Sequence, residues 1–135
     1  MNVFLDTNVL VYTFSGTEVE KRQRACLLLD QPGVVISTQN LNELANVLTR
    51  KFHVSGPSVA AALRDLEHKT ILHGVGVSEM HRALSLMDRY GYGYYDSLII
   101  ASALISRCEI LYSEDLQHGQ WIEACLRIVN PFLTE

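Results

Sequence analysis

The sequence predicts an α/β fold, a three-layer α/β/α sandwich with a mainly parallel central sheet. Short apolar runs alternate along the chain with longer segments in which apolar residues recur every three or four positions. This alternation is typical of parallel strands connected by helices that cover both faces of a sheet. The length of 135 residues fits one domain, and no linker, low-complexity tract or repeat interrupts it. We therefore expect a single domain over residues 1–135.

Five short apolar runs are predicted to be strands, because polar residues bound each of them. In chain order they span residues 2–5, 34–37, 71–77, 110–112 and 127–129. Helical patterns lie between most of these runs, and strands that alternate with helices pair in parallel.

Four segments between the strands are predicted to be helices. Residues 41–52, 59–66 and 80–87 each carry apolar side chains along one helical face. Gly56-Pro57 marks the start of the second of these helices, and Ser78 is a suitable cap for the third. Residues 97–105 are apolar on nearly every side and are interrupted only by serines, which is typical of a helix buried inside the sandwich.

The composition excludes several classes of protein. Cys26, Cys108 and Cys125 lie far apart and form no C-x-x-C pair, so they predict neither a disulfide framework nor a zinc site but buried thiols in a reducing compartment. The longest apolar stretch, residues 98–105, is too short to span a membrane, and no basic segment followed by an apolar run opens the chain. We expect a cytoplasmic protein without a membrane partner.

Three acidic residues are placed where an α/β fold builds its sites. Asp6 directly follows the first predicted strand, and Asp115 comes three residues after the strand that ends at Tyr112. The carboxyl ends of parallel strands are the edge at which such sheets bind ligands. Asp96 stands at the start of the buried helix, where the helix dipole favours an ionised carboxylate. Each acid also has a purely structural explanation, as a helix cap for Asp96 or a turn residue for Asp6 and Asp115.

Glu43 is a fourth candidate, on the helix over residues 41–52. It lies opposite the apolar face of that helix, which is equally compatible with a solvated surface residue and with a place in a solvent-facing cleft. Four converging carboxylates would repel one another strongly and would need protons or a cation. Mg²⁺ or Mn²⁺ suits such an oxygen-only cluster and can activate water and stabilise a departing oxygen.

The net charge of −4 is compatible with a phosphate-containing partner if these acids form one site. Without the four candidate acids, eleven Asp and Glu balance the eleven Lys and Arg. The excess negative charge would then belong to the pocket rather than to the surface.

The segments around the four acids resemble the motifs of PIN-domain proteins, and in particular of the VapC-type toxin ribonucleases. The resemblance covers nearly the whole chain, with four motifs in the family's order. They are Asp6-Thr7-Asn8-Val9, Asn42-Glu43-Leu44, Tyr95-Asp96-Ser97-Leu98-Ile99-Ile100-Ala101 and Ser113-Glu114-Asp115.

This resemblance implies a metal-dependent endoribonuclease that hydrolyses RNA phosphodiester bonds, with Asp6, Glu43, Asp96 and Asp115 as catalytic, metal-binding acids. It implies that Asn8 and Ser113 position water or the acids. It also implies Mg²⁺ or Mn²⁺ as cofactor, RNA as substrate, a homodimer and a small antitoxin as partner. Gln117 occupies a position at which some relatives carry a further acid, which leaves a second metal site open.

Other residues have two explanations each. The run of residues 90–95 contains four tyrosines, which could stack on RNA bases or, as we favour, pin a glycine-rich loop against the core. Lys21, Arg22 and Arg24, and likewise Arg50-Lys51, could guide a phosphate backbone or form a solvated helix face.

Two single residues complete the expectations. His118 lies near the fourth acid in sequence, although a contact with substrate is the less favoured explanation for it. Trp121 is expected to be a core anchor for the last segment.

Two other functions remain open from the sequence. In a haloacid-dehalogenase-like phosphatase Asp6 would be a covalent nucleophile, but such enzymes carry a second acid two residues later, where this chain has Asn8. In a catalytically silent PIN-like module the acidic pocket would only bind RNA or a protein.

Overall fold

A computed structural model describes residues 1–133 of the protein. Six strands and six helices are present in this part of the chain. In order they are β1 (Val3–Leu5), α1 (Thr7–Tyr12), α2 (Val19–Leu29), β2 (Val34–Ser37), α3 (Thr38–Arg50), α4 (Gly56–Lys69), β3 (Ile71–His73), α5 (Val77–Tyr90), α6 (Tyr94–Ile105), β4 (Ile110–Tyr112), β5 (Trp121–Ile122) and β6 (Leu126–Val129).

The strands form one sheet in the order β3-β2-β1-β4-β6-β5. All neighbouring strands pair in parallel except β5, which runs antiparallel to β6 at the edge. The chain places β2 and β3 on one side of β1 and then crosses to place β4 on the other side. The order of the strands therefore reverses at β1 and β4, which is where open α/β sheets form their binding crevices.

Side chains alternate between the two faces of the sheet, as strand geometry requires. Val3 and Leu5 of β1 pack with apolar residues of α1, α2, α3 and α4, whereas Phe4 packs on the opposite face with α5 and α6. Helices thus cover both faces, and the predicted three-layer α/β/α sandwich is confirmed. Helix α6 is buried over residues 97–103, as its apolar sequence predicts.

Besides helix α1, which the sequence did not identify, three further elements differ from the sequence prediction. Helix α2 is a strongly polar helix whose inner face is limited to Ala25, Leu28 and Leu29, so it lacks the apolar pattern that identified the other helices. Strand β5 has only two residues, and its antiparallel pairing depends on contact with β6.

The third difference is that β3 ends at His73 rather than continuing to residue 77. Glu79 accepts a hydrogen bond from the backbone N–H of Gly76 (2.8 Å), and this bond starts helix α5 at Val77. The cap expected from Ser78 is therefore wrong, because Gly76 is the capping residue.

The cysteines have different environments. Cys108 is buried, Cys26 is half-buried and Cys125 is exposed, and all three are free thiols. The expectation of buried thiols is thus correct for Cys108 and wrong for Cys125. Within residues 1–133 the longest helices fall short of the length and apolarity needed to cross a membrane.

Candidate active site

The four candidate acids line one cavity of about 430 Å³ at the carboxyl ends of β1 and β4. Asp6 follows β1, Glu43 lies in α3 after β2, Asp96 lies in the first turn of α6, and Asp115 follows β4. We call this space the acidic cavity. The structure thus brings the four candidate acids together at one edge of the sheet.

Asp6 is the innermost of the four acids. Only 7% of it is exposed, and both of its carboxylate oxygens accept hydrogen bonds. The backbone N–H of Thr7 donates to Oδ1 (2.7 Å), and the Ser113 hydroxyl donates to Oδ2 (2.8 Å). Asp6 also caps helix α1. It is therefore both a helix cap and a residue of the acidic cavity.

Asn8 joins the first and fourth motifs. Its side-chain amide donates towards Oδ2 of Asp6 (3.3 Å) and Oδ2 of Asp115 (3.1 Å). Its Oδ1 accepts the backbone N–H of Glu114 (3.2 Å). One side chain therefore contacts two acids that are distant in sequence.

Ser113 supports the loop that carries Asp115. The residue is fully buried, and its backbone N–H donates to the carbonyl of Val129 in β6 (3.0 Å). Its hydroxyl oxygen also accepts the backbone N–H groups of Asp115 and Leu116 (both 3.3 Å). The hydroxyl thus both shapes the loop and binds Asp6.

Glu43 is held by a chain of polar contacts that the sequence did not predict. Its Oε1 accepts the hydroxyl of Thr7 (2.7 Å), and the Thr7 oxygen in turn accepts the amide of Asn40 (3.0 Å). Asn40 is fully buried and forms a capping box with Ser37 at the start of α3. Glu43 is therefore a half-buried, oriented member of the cavity rather than a solvated surface residue.

Asp96 and Asp115 stand at the more exposed side of the cavity. Asp96 is not the helix cap, because Gly93 precedes the first turn of α6 and occupies that position. Asp96 instead lies in that first turn, where the helix dipole favours its charge. The two acids complete a set in which Asp6 is buried, Glu43 is half-buried and Asp96 and Asp115 are exposed.

The closeness of the acids changes their titration. Burial raises the pKa of Asp6 from 3.8 to about 6, and the charges of Asp96 and Glu43 add to the rise, although the hydrogen bonds from Ser113 and Thr7 oppose it. Partial desolvation, followed by the charge of Asp115, raises the pKa of Asp96. The cavity therefore favours positive charge near these carboxylates.

The donor set fits a hard divalent cation. The acids supply only oxygen atoms, the donors that Mg²⁺ and Mn²⁺ prefer. Burial, and then the charges of Asp96 and Glu43, raise the pKa of Asp6. Within residues 1–133, however, no three His, Cys, Asp or Glu side chains are already grouped closely enough to hold a metal ion. An ion at this site would bind through few protein oxygens and would retain water or substrate ligands.

A second group of residues beside the acidic cavity was missed from the sequence. Glu114 accepts hydrogen bonds from Tyr12 (2.6 Å) and Lys21 (2.6 Å). Burial alone would raise the pKa of Glu114, but these two bonds and the Lys21 charge outweigh it and hold the pKa below its ordinary value. The basic residue Lys21 thus forms an ion pair with Glu114. The only sequence signal for this pair was the position of Glu114 directly before Asp115.

The remaining candidates are placed as follows. Lys51, from the second basic pair, is exposed and lines the acidic cavity. His118 accepts the backbone N–H of Asn130 through Nδ1 (2.9 Å) and is not among the residues that line this cavity.

Trp121 is 56% exposed, so the prediction that it anchors the last segment in the core is wrong. Ile122, the other residue of the two-residue strand β5, faces the core instead.

The tyrosine run has two different roles. Tyr90 and Tyr92 hold the segment after β4, because the Tyr90 hydroxyl accepts the backbone N–H of Glu123 and the Tyr92 hydroxyl donates to Gln120. Tyr90, Tyr92 and Tyr94 pack against the core, as favoured. Tyr95 differs, because 68% of it is exposed.

The fold is similar to several solved structures. A toxin-antitoxin complex from Klebsiella pneumoniae has a TM-score of 0.73 at 24% identity, with 98% of each chain covered. VapC20 from Mycobacterium tuberculosis, described as a Sarcin-Ricin loop cleaving toxin, has a TM-score of 0.70 at 21% identity and covers 84% of this chain and 90% of its own.

A third structure, VapBC2 from Rickettsia felis bound to a DNA fragment from its promoter, has a TM-score of 0.67 at 18% identity and covers 96% of this chain and 100% of its own. A search among curated proteins found no match. The PIN domain family model matches residues 3–120, a span that includes all four acids. The chain belongs to the PIN domain family.

Proposed function

We propose that the protein is a metal-dependent endoribonuclease that hydrolyses RNA phosphodiester bonds and acts as the toxin of a toxin-antitoxin pair. The observation that carries the proposal is the meeting of four carboxylates from four chain segments in one cavity at the reversal of strand order. Membership of the PIN domain family and similarity to toxin structures support it.

Asp6, Glu43, Asp96 and Asp115 would hold the ion in this proposal. A bound Mg²⁺ or Mn²⁺ supplies positive charge that activates water and stabilises the leaving oxygen of a phosphodiester. The residues of the chain itself supply the positions. Asn8 and Ser113 fix the carboxylate of Asp6, and Thr7 fixes Glu43. Lys51 places a positive charge at the cavity, where it would attract the phosphate backbone.

The residues around Asp6 argue against its use as a covalent nucleophile. Thr7 binds one of its oxygens, while Ser113 and Asn8 bind the other. A haloacid-dehalogenase-like phosphatase needs a second acid two residues after its nucleophile, and Asn8 occupies that position here. The phosphatase alternative is therefore disfavoured, and the silent binding module remains to be separated by experiment.

Further properties belong to the same proposal. The single continuous sheet supports one domain. The similarity to toxin-antitoxin complexes supports a small antitoxin as partner. We also infer a homodimer and a cytoplasmic location, as expected for toxins of this family.

Cleavage of labelled single-stranded and structured RNAs tests the proposal. Cutting is expected with Mg²⁺ or Mn²⁺ and not with EDTA. Asp6→Asn and Asp96→Asn should each lower the rate by roughly 100-fold or more, as expected when a charge-stabilising group leaves a preorganised site. Asp88→Asn, which alters an exposed acid of α5, is the matched control and should cut normally.

The outcomes separate the alternatives. Cleavage that resists EDTA or survives both Asp variants would overturn the assignment. RNA binding without cleavage by the wild-type chain would indicate the silent module. Turnover of a small phosphate monoester in place of RNA would indicate a phosphatase.

A further inference from the structure

A second cavity of about 410 Å³ lies beside the acidic cavity and shares Glu43 with it. We call it the Tyr95 cavity. It is formed where the start of α3 meets α5 and α6. Its lining is Thr38, Gln39, Asn42, Glu43, Val75, Met80, Tyr95 and Leu98. The two cavities adjoin, because Glu43 lines both and Tyr95 directly precedes Asp96.

Tyr95 presents a large exposed aromatic surface to this cavity. Of the four tyrosines in residues 90–95, it is the one that does not pack against the core. The Tyr94 ring, half-buried against the core, contacts it edge to face at a centroid distance of 5.4 Å. This contact holds the exposed ring in place before any ligand arrives, which lowers the entropy cost of stacking on it.

Gln39 adds a polar group to the same cavity. It is 8% exposed, and its Nε2 donates to the backbone carbonyl of Tyr95 (3.1 Å). Its Oε1 is buried without a hydrogen-bond partner among the described residues. Such an oxygen carries a desolvation cost, which a donor N–H group that reached it would relieve.

The charge of the lining indicates what the cavity can accept. Neither Lys nor Arg is among its described lining residues, and Glu43 contributes a negative charge. A phosphate group would be repelled there. Val75, Met80 and Leu98 instead offer apolar surface, which together with the tyrosine ring and the amide suits a flat, uncharged ring that carries N–H groups.

We propose that the Tyr95 cavity binds a nucleobase of the RNA next to the cleaved phosphate, stacked on Tyr95, and that it contributes to the choice of cleavage sequence. This inference rests on the proposed function. Base stacking on an aromatic side chain occurs widely in single-stranded RNA recognition and tolerates any base. The Gln39 amide adds a preference for a base with an exposed amino or imino group.

Binding of short single-stranded RNAs to the full chain carrying Asp6→Asn, in Mg²⁺, tests the inference without cleavage. A fluorescent purine analogue, and separately an abasic nucleotide, is placed at each position in turn. At one position of the RNA, the fluorescence of the analogue is expected to be quenched on binding. An abasic nucleotide at that same position is expected to weaken binding of the RNA. Adding Tyr95→Ala to the Asp6→Asn chain should weaken binding of the intact RNA roughly 5- to 150-fold. Adding Tyr95→Phe instead should leave the affinity of the Asp6→Asn chain unchanged.

The abasic RNA is the decisive control. Tyr95→Ala should cost nothing further on the RNA that is abasic at the quenched position, because the stacking partner is already gone. Trp121→Ala removes an exposed aromatic ring from the far edge strand β5 and should leave every affinity unchanged. Thermal unfolding of Tyr95→Ala should match that of the parent chain.

Three results would overturn the inference. The first is equal RNA affinity of the Tyr95→Ala variant and its parent. The second is a loss of affinity in Tyr95→Ala that is as large on every abasic RNA as on the intact RNA. The third is a change in the oligomeric state of Tyr95→Ala on sedimentation, which would identify the cavity as a contact between copies. Failure of the proposed function is distinguishable from these. A wild-type chain that binds RNA with the Tyr95-dependent quench but never cuts it would refute the nuclease and leave the base site standing.

Discussion

The hydroxyl of Ser113 donates a hydrogen bond to Oδ2 of Asp6 across 2.8 Å, although the two residues are 107 positions apart. The bond ties the end of β4 to the end of β1. It also lowers the pKa of Asp6 against the effect of burial. Loop geometry and carboxylate charge are therefore set by the same buried hydroxyl.

Ser113→Ala is expected to lower the free energy of unfolding by about 1–3 kcal/mol, because the backbone N–H groups of Asp115 and Leu116 lose an acceptor. It should also raise the pKa of Asp6 further and weaken Mg²⁺ binding. Chemical unfolding and a metal titration measure the two effects. Ser85→Ala, on the exposed side of α5, is the control; if both variants behave alike, the hydroxyl does not have this role.

Asp6→Asn should change the pH dependence of stability in EDTA. Below about pH 4 the Asp6 carboxyl is protonated in both the folded and the unfolded chain. Between 3.8 and about 6 the unfolded chain loses this proton first, so the free energy of unfolding of the wild type falls as pH rises, and above that range it levels off.

The difference between these two pKa values corresponds to roughly 3 kcal/mol. The Asn variant has no carboxyl group to titrate at this position, so its free energy of unfolding does not fall for this reason. Relative to the wild type, its stability should increase by up to roughly 3 kcal/mol from pH 4 to pH 7. Mg²⁺ added at neutral pH should stabilise the wild type more than the variant. Parallel pH profiles for the two proteins would contradict the pKa assigned to Asp6.

Thr7→Val should reduce RNA cleavage because Glu43 loses the hydroxyl that orients it. The variant should also be less stable by about 1 kcal/mol, since the buried amide of Asn40 loses one acceptor. Thr7→Ser keeps the hydroxyl and should retain both activity and stability. Cleavage rates and denaturant unfolding of the pair measure the effects, and an inactive Thr7→Ser would show that the methyl group matters more than the hydrogen bonds.

Lys21→Met should weaken RNA binding by about 5-fold, equivalent to roughly 1 kcal/mol. Without Lys21 the Glu114 carboxylate becomes an unbalanced negative charge at the lining of the acidic cavity. Adding Glu114→Gln removes that charge and should restore the affinity. Filter binding at low and high salt measures the RNA affinity of both variants. If the double variant binds RNA as weakly as Lys21→Met does, Lys21 contacts the RNA itself.

Local patterns were sufficient for most of the fold and for the placement of Asp6 and Asp115. Short apolar runs identified β1, β2, β4 and β6, and apolar residues spaced three or four apart identified the amphipathic helices α3 and α5. The position of Asp6 and Asp115 after adjacent parallel strands followed from the rule for strand ends. The convergence of Glu43 did not follow, because it depends on a contact with Thr7 across two elements.

Other features depended on contacts between segments that no local pattern records. Helix α2 is polar almost all round, so its helical state depends on packing against the sheet rather than on an apolar stripe. Trp121 was expected to be a core anchor, but the two-residue strand β5 turns Ile122 inward and Trp121 outward. The bonds from Tyr12 and Lys21 to Glu114 join residues about a hundred positions apart.

Strand β6 contains none of the four acids and lies beyond residue 120, where the family match ends. Yet it pairs along β4, and its Val129 carbonyl receives the N–H of Ser113. A premature stop codon or a proteolytic cut after that point would leave every acid in the polypeptide while removing the support of the loop that carries Asp115. The shortened chain would also bare the unpaired backbone of β4 and be prone to self-association.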